Sequence, residues 1–399
     1  MSDQLPAFPA LRADPAVPTG VIYAATRASD PVCRVLLPSG HTAWLVSRYE
    51  DVRAVLSDPR FGRDLRYPGA PCLVEPGDFS TGELGIMNFD PPEHTRLRRL
   101  ANKAFTARRI EGMRGRVEKI TLDLLTQLSA CRPPVDLIPE FAFPLPTAVI
   151  CDLLGVPFDD RERFWTWSRV IVSPLQHSVD DMVAAQRACA DHMRRLVAIK
   201  RATPGDDILT GLIEARDDDA RLSEDELIDL ATSLLLAAQE TTMTLIAGGV
   251  VLLMRHPDQL AALRADPALI EPAVEEILRY DCPADFLLLR VALADVDLGG
   301  VRIRKGEAVV PVNASANHDE AYFANPATFD ITRTPNPHLG FGHGTHFCLG
   351  APLARMQGQI ALLALLDRFP ALRLAVAPEE ITWRPPLSVR GPLAVPVTW

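Results

Sequence analysis

The chain has 399 residues, 48% of them hydrophobic, and a formal net charge of −10. That is enough apolar material for a sizeable core, and the charge argues against general nucleic-acid or anionic-membrane binding. Seven cysteines, an odd total with no Cys-x-x-Cys pair, fit reduced thiols in a cytoplasm and not a disulfide framework. Residues 1–20 are polar and proline-rich without a charged-then-apolar signal pattern. The longest apolar run, Leu245 to Met254, is too short to span a bilayer, so no membrane anchor is expected. The 35 prolines punctuate many helix ends and mark no single linker, so one domain over 1–399 is expected.

Val32, Arg34 and Leu36, then Thr42, Trp44 and Val46, alternate on either side of Pro38-Ser39-Gly40 and predict a β-hairpin. A short helix follows from Tyr49 to Leu56, closed by Asp58-Pro59. From Arg60 to Pro92 the chain is rich in Gly and Pro with little periodicity, and a loop that long inside a domain is usually functional. Asp90-Pro91-Pro92-Glu93 opens a helix on which His94 and Arg98 share one face. Basic residues continue through Arg99, Lys103, Arg108, Arg109, Arg114 and Arg116, with Glu111 the only acid between Thr95 and Arg116. On an acidic protein this local inversion suits an acidic partner; the plain alternative is a solvated charged face. Helical segments are expected at Arg116–Ser129, Phe143–Leu154, Asp160–Val172 and Val179–Lys200, with a break at Ser173-Pro174. Trp165 and Trp167 read as packing residues.

Ser223-Glu224-Asp225-Glu226 is a capping box. It starts a helix that can run to Arg255, roughly 50 Å at 1.5 Å per residue, long enough to cross a whole core. Its apolar course is interrupted by Gln239-Glu240-Thr241-Thr242. Four consecutive polar residues point in every direction around a helix, so an exposed face does not explain them, and burying them is costly unless they are satisfied. Glu276 and Arg279 lie on the next long helix, where such a pair is ordinarily a minor surface contact. Phe286 to Val291 reads as an apolar strand carrying Arg290. Val296 to Glu307 reads as a hairpin and Leu387 to Trp399 as a further β region.

Between these lies Phe341-Gly342-His343-Gly344-Thr345-His346-Phe347-Cys348-Leu349-Gly350-Ala351-Pro352-Leu353-Ala354-Arg355. Pro352 suits a first helical turn, and Leu353, Ala354, Ile360, Ala361, Leu363, Ala364 and Leu366 recur at helical spacing. Cys348 therefore sits just before a helix N-terminus, where free amides and the helix dipole favour a thiolate. On residue chemistry alone three readings stay open: an inert core cysteine, a zinc ligand with His343 and His346, or a nucleophile paired with His346.

The same fifteen residues resemble the haem-binding signature of the cytochrome P-450 family: Phe, a Gly after two intervening residues, then His, Cys, Gly and Ala at fixed spacing. Further family motifs occur in family order from Pro91 to Arg355, so the resemblance covers nearly the whole chain. It implies a mainly α fold, a helical prism with small β-sheet regions and a long central helix over a buried haem b. Cys348 is then the axial thiolate that favours O–O cleavage, in a loop completed by Phe341 and Gly350. His94, Arg98, Arg290 and His346 are the propionate contacts. Glu240 and Thr241 are the acid–alcohol pair. A threonine hydroxyl bonded to the carbonyl four residues back bends the helix and opens a groove for O2, which Ala238, often Gly in the family, narrows. Glu276 and Arg279, with Arg333 as third member, hold the cysteine loop. The break at Ser173-Pro174 falls where the family has its substrate lid, and Ala237, Phe286, Leu287 and Leu387 are the expected substrate contacts.

The implied activity is insertion of one oxygen atom of O2 into an apolar small molecule, by hydroxylation or epoxidation, in the style of enzymes that tailor polyketides or terpenoids. Electrons come from NAD(P)H through ferredoxin and ferredoxin reductase, or flavodoxin, because no flavin or iron–sulfur segment is present in these 399 residues. Two alternatives remain: a peroxide-driven haem enzyme, against which the intact Glu240–Thr241 pair argues, and a non-catalytic haem-binding or sensor protein.

Overall fold

Ser223 caps the element around which the core is built. Its hydroxyl accepts the Glu226 amide hydrogen (3.1 Å) while its own amide donates to Glu226 Oε2 (2.8 Å). Two of the orphan amides of the first turn are thus satisfied by one residue pair. The helix so started runs Glu224–Arg255, 32 residues. The computed structural model describes residues 5–10, 17–66, 70–74, 85–157, 160–171, 177–219, 222–286, 289–384 and 389–399. This helix is long and apolar enough, by length and composition, to cross a membrane, yet 78% of its most apolar stretch is buried against the rest of the protein. It packs on helices Pro144–Leu154, Val179–Ala202, Ile270–Tyr280 and Ala351–Arg368. All of them contribute to one large apolar cluster that includes Leu145, Met193, Leu245, Ile277 and Leu362.

The expected hairpin forms as Val32–Leu36 against Thr42–Val46, antiparallel, with Val32 opposite Val46 and Leu36 opposite Thr42. It extends into a five-stranded sheet through Ala308–Pro311, Arg290–Ala292 and Phe61–Gly62. Thr42–Val46 runs parallel to Ala308–Pro311, and Arg290–Ala292 pairs antiparallel with the latter. The sheet thereby delivers the Arg290 side chain from one of its inner strands. Its faces bury their own clusters, one around Phe8, Tyr23, Phe286 and Leu289 and another around Tyr49, Phe61 and Phe323. Val296–Leu298 and Val301–Ile303 form the second expected hairpin.

Helices at Tyr49–Ser57, Glu93–Ala104, Arg114–Ala130, Pro144–Leu154, Arg161–Ile171, Val179–Ala202 and Ala351–Arg368 match the expected segments within a few residues. Three expectations need correction. The strand expected over Phe286–Val291 begins only at Arg290, because Phe286 turns into the cluster under the sheet. Among the described residues, the C-terminal β region reduces to Pro396–Thr398 and an isolated bridge between Trp383 and Pro392. A helix at Ile208–Asp219 was not expected. Gly211 inside it and three aspartates at its end weaken its helical signal, while Asp207 Oδ1 accepts the Thr210 amide hydrogen (2.8 Å) at its start. The expected break at Ser173-Pro174 lies outside the described residues.

Candidate active site

The cysteine loop is shaped by its backbone. Gly342 and Gly344 take positive φ values of 73° and 72°, and the Cys348 amide donates back to the Phe341 carbonyl (2.9 Å). A β-carbon at Gly344 would lie 2.5 Å from the Leu56 carbonyl oxygen, so the loop lies directly on the helix Tyr49–Ser57. Arg53 Nε also donates to His343 Nε2 (3.3 Å) across the same contact. Cys348 is partly buried, three residues before the helix Ala351–Arg368. Burial raises its thiol pKa, while the amides of Gly350 and Ala351 and the charges of Arg98 and Arg355 pull it down. The amides at the helix start thus act in the expected direction, but burial outweighs them and the net shift is upward. A cation placed at the sulfur supplies what the dipole does not.

The zinc and nucleophile readings fail on geometry. His343 turns to Arg53, and His346 stacks on His94 with ring centroids 4.1 Å apart. No group of three His, Cys, Asp or Glu side chains converges on one point among the described residues.

His94 and His346 instead join Arg98 and Arg290. Burial first, then the charges of Arg98 and Arg290, lowers the pKa of His94 to about 4. Burial, then Arg290, His94, Arg63 and Arg98, lowers that of His346 to about 2. Burial brings even Arg290 down to about 10, with Asp90 opposing. His94 Nε2 and Arg290 Nε and Nη2 are buried and have no hydrogen-bond partner among the described residues. Orphan donors of this kind carry a desolvation cost that a partner must offset. Two carboxylates, such as the propionates of a haem, fit this pocket of cations and neutral imidazoles. Arg98 additionally donates to the Phe347 carbonyl (2.6 Å), tying this cluster to the cysteine loop. Arg63, fully buried and bonded to the Leu289 carbonyl (3.1 Å), belongs to the same cluster and was missed by sequence reasoning. It sits in a stretch without periodicity.

On the central helix the polar interruption divides by face. Gln239, Glu240 and Thr242 are buried; Thr241 is half-buried; Ala237 is exposed and Ala238 partly so, in the middle of an otherwise buried element. Ala237, Ala238 and Thr241 thus form an open strip on a largely buried helix. Thr241 Oγ1 donates to the Ala237 carbonyl (2.8 Å), which takes that carbonyl's bonding to the strip itself. Ala238, Phe341 and Leu349 all pack at the margin of the main cluster, so strip and cysteine loop border the same core. Glu240 Oε2 lies 2.6 Å from Arg384 Nη1, a partner that nothing in the sequence pattern signals.

Glu276, Arg279 and Arg333 are brought together. Glu276 and Arg279 are both fully buried and paired at two points (2.7 and 2.8 Å). Arg333 Nε, the Asn336 amide and the Asp330 backbone amide also donate to Glu276. Arg279 Nη1 reaches the carbonyls of Asn317 and Pro326 (2.8 and 2.9 Å). One carboxylate thus fastens the segment leading into the cysteine loop. Among the expected substrate contacts, Phe286 is buried and edge-on to Phe8, with centroids 5.0 Å apart. Leu287 and Leu387 lie outside the described residues.

The cytochrome P450 family pattern matches residues 162–389. The chain is 44% identical over 381 residues to the mycinamicin IV hydroxylase/epoxidase of Micromonospora griseorubida, spanning 94% of each. It is also 44% identical over 382 residues to the cytochrome P450 monooxygenase PikC of Streptomyces venezuelae, spanning 94% of this chain and 90% of that one. Among solved structures it is similar to the LnmA cytochrome P450 hydroxylase of the leinamycin biosynthetic pathway of Streptomyces atroolivaceus, at a TM-score of 0.88 and 43% identity over 100% of this chain and 98% of that one. The chain thus belongs to the cytochrome P450 family and is a haem-thiolate monooxygenase.

Proposed function

We propose that this enzyme inserts one oxygen atom into an apolar natural-product scaffold, by hydroxylation or epoxidation, with Cys348 as thiolate ligand of a haem b. The observation that carries the reading is the open Ala237–Thr241 strip in the middle of a buried helix bordering the core shared with the cysteine loop. Arg98, Arg290, His94 and His346 hold the propionates, and Phe341 and Gly350 shape the loop around the sulfur. When bound, the haem iron supplies O2 binding and the reductive cleavage of the O–O bond. The chain's own part is to bind, orient and protonate. Ala237 presents an apolar wall to substrate. Thr241 offers a hydroxyl at the strip, and Glu240, the next residue, offers an exchangeable acid, so donor and acceptor stand in sequence for proton delivery. Glu276, Arg279 and Arg333 keep the loop in place. The relatives act on molecules such as mycinamicin IV, which supports a natural-product substrate without naming one.

Electrons reach the site from NAD(P)H through an external ferredoxin and ferredoxin reductase, or a flavodoxin, in a cytoplasmic setting and on a single haem domain spanning 1–399. Arg99, Lys103 and Arg108 are exposed and support an acidic partner. Cys348→Ser is expected to abolish the strongly red-shifted absorption band of the reduced CO complex together with product formation. A variant that kept the band would sink the ligand assignment. A panel of polyketide and terpenoid ligands, scored by spin-state shift and by 18O incorporation from labelled O2, tests the substrate class. Incorporation from labelled peroxide alone would favour the peroxide-driven reading.

A further inference from the structure

Three side chains without a role so far sit behind the cysteine loop. Glu275 precedes Glu276 on the helix Ile270–Tyr280 and holds Arg355 at two points, Nε to Oε1 (2.7 Å) and Nη2 to Oε2 (2.8 Å). His338 Nε2 lies 3.0 Å from Glu275 Oε2, and His338 Nδ1 accepts the Gly340 amide hydrogen (3.0 Å). The ring proton therefore sits on Nε2 and is donated to Glu275. The Arg355 guanidinium lies 4.5 Å over the Phe341 ring, and the Phe341 carbonyl accepts the Cys348 amide hydrogen. Arg355 is also close enough for its charge to act on the Cys348 sulfur. Burial opposes ionisation of Glu275, but the donors His338 and Arg355 outweigh it and hold the carboxyl at about 2. Glu275 therefore meets Arg355 as a carboxylate.

A cation beside an iron–thiolate unit favours the state with one more electron, and a neutralised cation does so less. We propose that Glu275 sets the reduction potential of the haem by cancelling the positive charge that Arg355 otherwise presents to the Cys348 thiolate. Glu275 and Arg355 act as positioning residues of the electrostatic field; neither touches substrate. The inference rests on the haem-thiolate reading of Cys348. Both side chains keep some solvent contact, 26% and 33% accessible, so the effect weakens as ionic strength rises.

The test uses the purified holoenzyme and its variants Glu275→Gln, Arg355→Gln and the double variant, with the midpoint potential measured by spectroelectrochemical titration. The reduced CO band is recorded in parallel. Glu275→Gln raises the potential, Arg355→Gln lowers it, and the double variant returns to the wild-type value, all with the thiolate band retained. If the network only braces the loop, both single variants shift the same way or lose the band, and the double variant does not recover; either outcome overturns the proposal. Should Glu275→Gln fail to hold haem, Arg355→Gln against Arg355→Lys decides: a lowered potential in the first and the wild-type value in the second support the charge effect, and equal values overturn it. A wild-type protein without the thiolate band would instead overturn the ligand reading beneath it.

Discussion

Arg384 Nη1 stands 2.6 Å from Glu240 Oε2, so one contact ties the C-terminal segment to the middle of the central helix. Glu240 is 2% exposed, and neither of its oxygens has an aligned hydrogen bond among the described residues. The carboxylate is thus held by charge and not by a hydrogen-bond network.

Arg384→Met removes the counter-charge and leaves the buried carboxylate alone. Breaking one side of a buried pair costs about 3–5 kcal/mol, whereas removing both sides costs far less. Urea unfolding followed by circular dichroism checks this. Arg384→Met lowers the midpoint, and the Arg384→Met, Glu240→Gln double variant recovers most of the loss. Additive losses would mean that the two groups do not interact.

Thr241→Ala and Glu240→Gln separate the two halves of the proposed proton path. Without the hydroxyl, a proton is no longer delivered at the strip, and reducing equivalents leave as hydrogen peroxide while substrate and haem binding persist. Without the exchangeable acid, turnover slows several-fold because resupply of the proton is lost. Product, peroxide and NAD(P)H consumed are measured for each variant. Wild-type coupling in Thr241→Ala would end the acid–alcohol reading of this helix.

Much of this site was legible because its chemistry is local in sequence. The fifteen residues from Phe341 carry their own turn, their own cysteine and their own helix start. The polar break at Gln239–Thr242 contradicts the helix around it and so announces itself. Glu276 and Arg279 were legible as a pair on one turn, but their depth was not, since nothing in a Glu-x-x-Arg spacing distinguishes a buried pair from a solvated one. Arg63, Arg384 and Glu275 escaped for a different reason. Their partners lie 226, 144 and 80 positions away, at Leu289, Glu240 and Arg355, and only the fold brings them together. The packing of Phe286 was not legible either, because an apolar run next to Arg290 does not announce the cluster it joins around Phe8.

The basic run after His94 is less open than its composition suggests. Arg96 pairs with Glu226, Arg109 with Asp206, Arg114 with Glu111 and Arg116 with Asp152. Arg99 and Lys103 remain exposed. Reversing these two charges, Arg99→Glu with Lys103→Glu, is expected to slow reduction by an acidic ferredoxin about 10-fold or more at low salt and to flatten its ionic-strength dependence, with haem retained. Stopped-flow reduction under CO reads this directly. Unchanged rates at low salt would make the run a solvated face.

Gly344 and Gly342 take nearly the same positive φ, yet they should tolerate alanine differently. At Gly342 the nearest atom to an added β-carbon is the His346 carbonyl oxygen at 3.9 Å, so the cost is the left-handed strain alone, about 1–2 kcal/mol. At Gly344 the β-carbon also meets Leu56 O at 2.5 Å and Ser57 Cα at 2.9 Å. Both are backbone atoms of a helix and have little room to yield, which adds about 1–3 kcal/mol of overpacking. Gly344→Ala should therefore push the cysteine loop off the helix Tyr49–Ser57. It should lose haem on gel filtration or move the reduced CO band away from the thiolate position, while Gly342→Ala keeps both with a modest loss of thermal stability. Equal haem retention in the two variants would mean that the loop does not depend on its seat against Leu56 and Ser57.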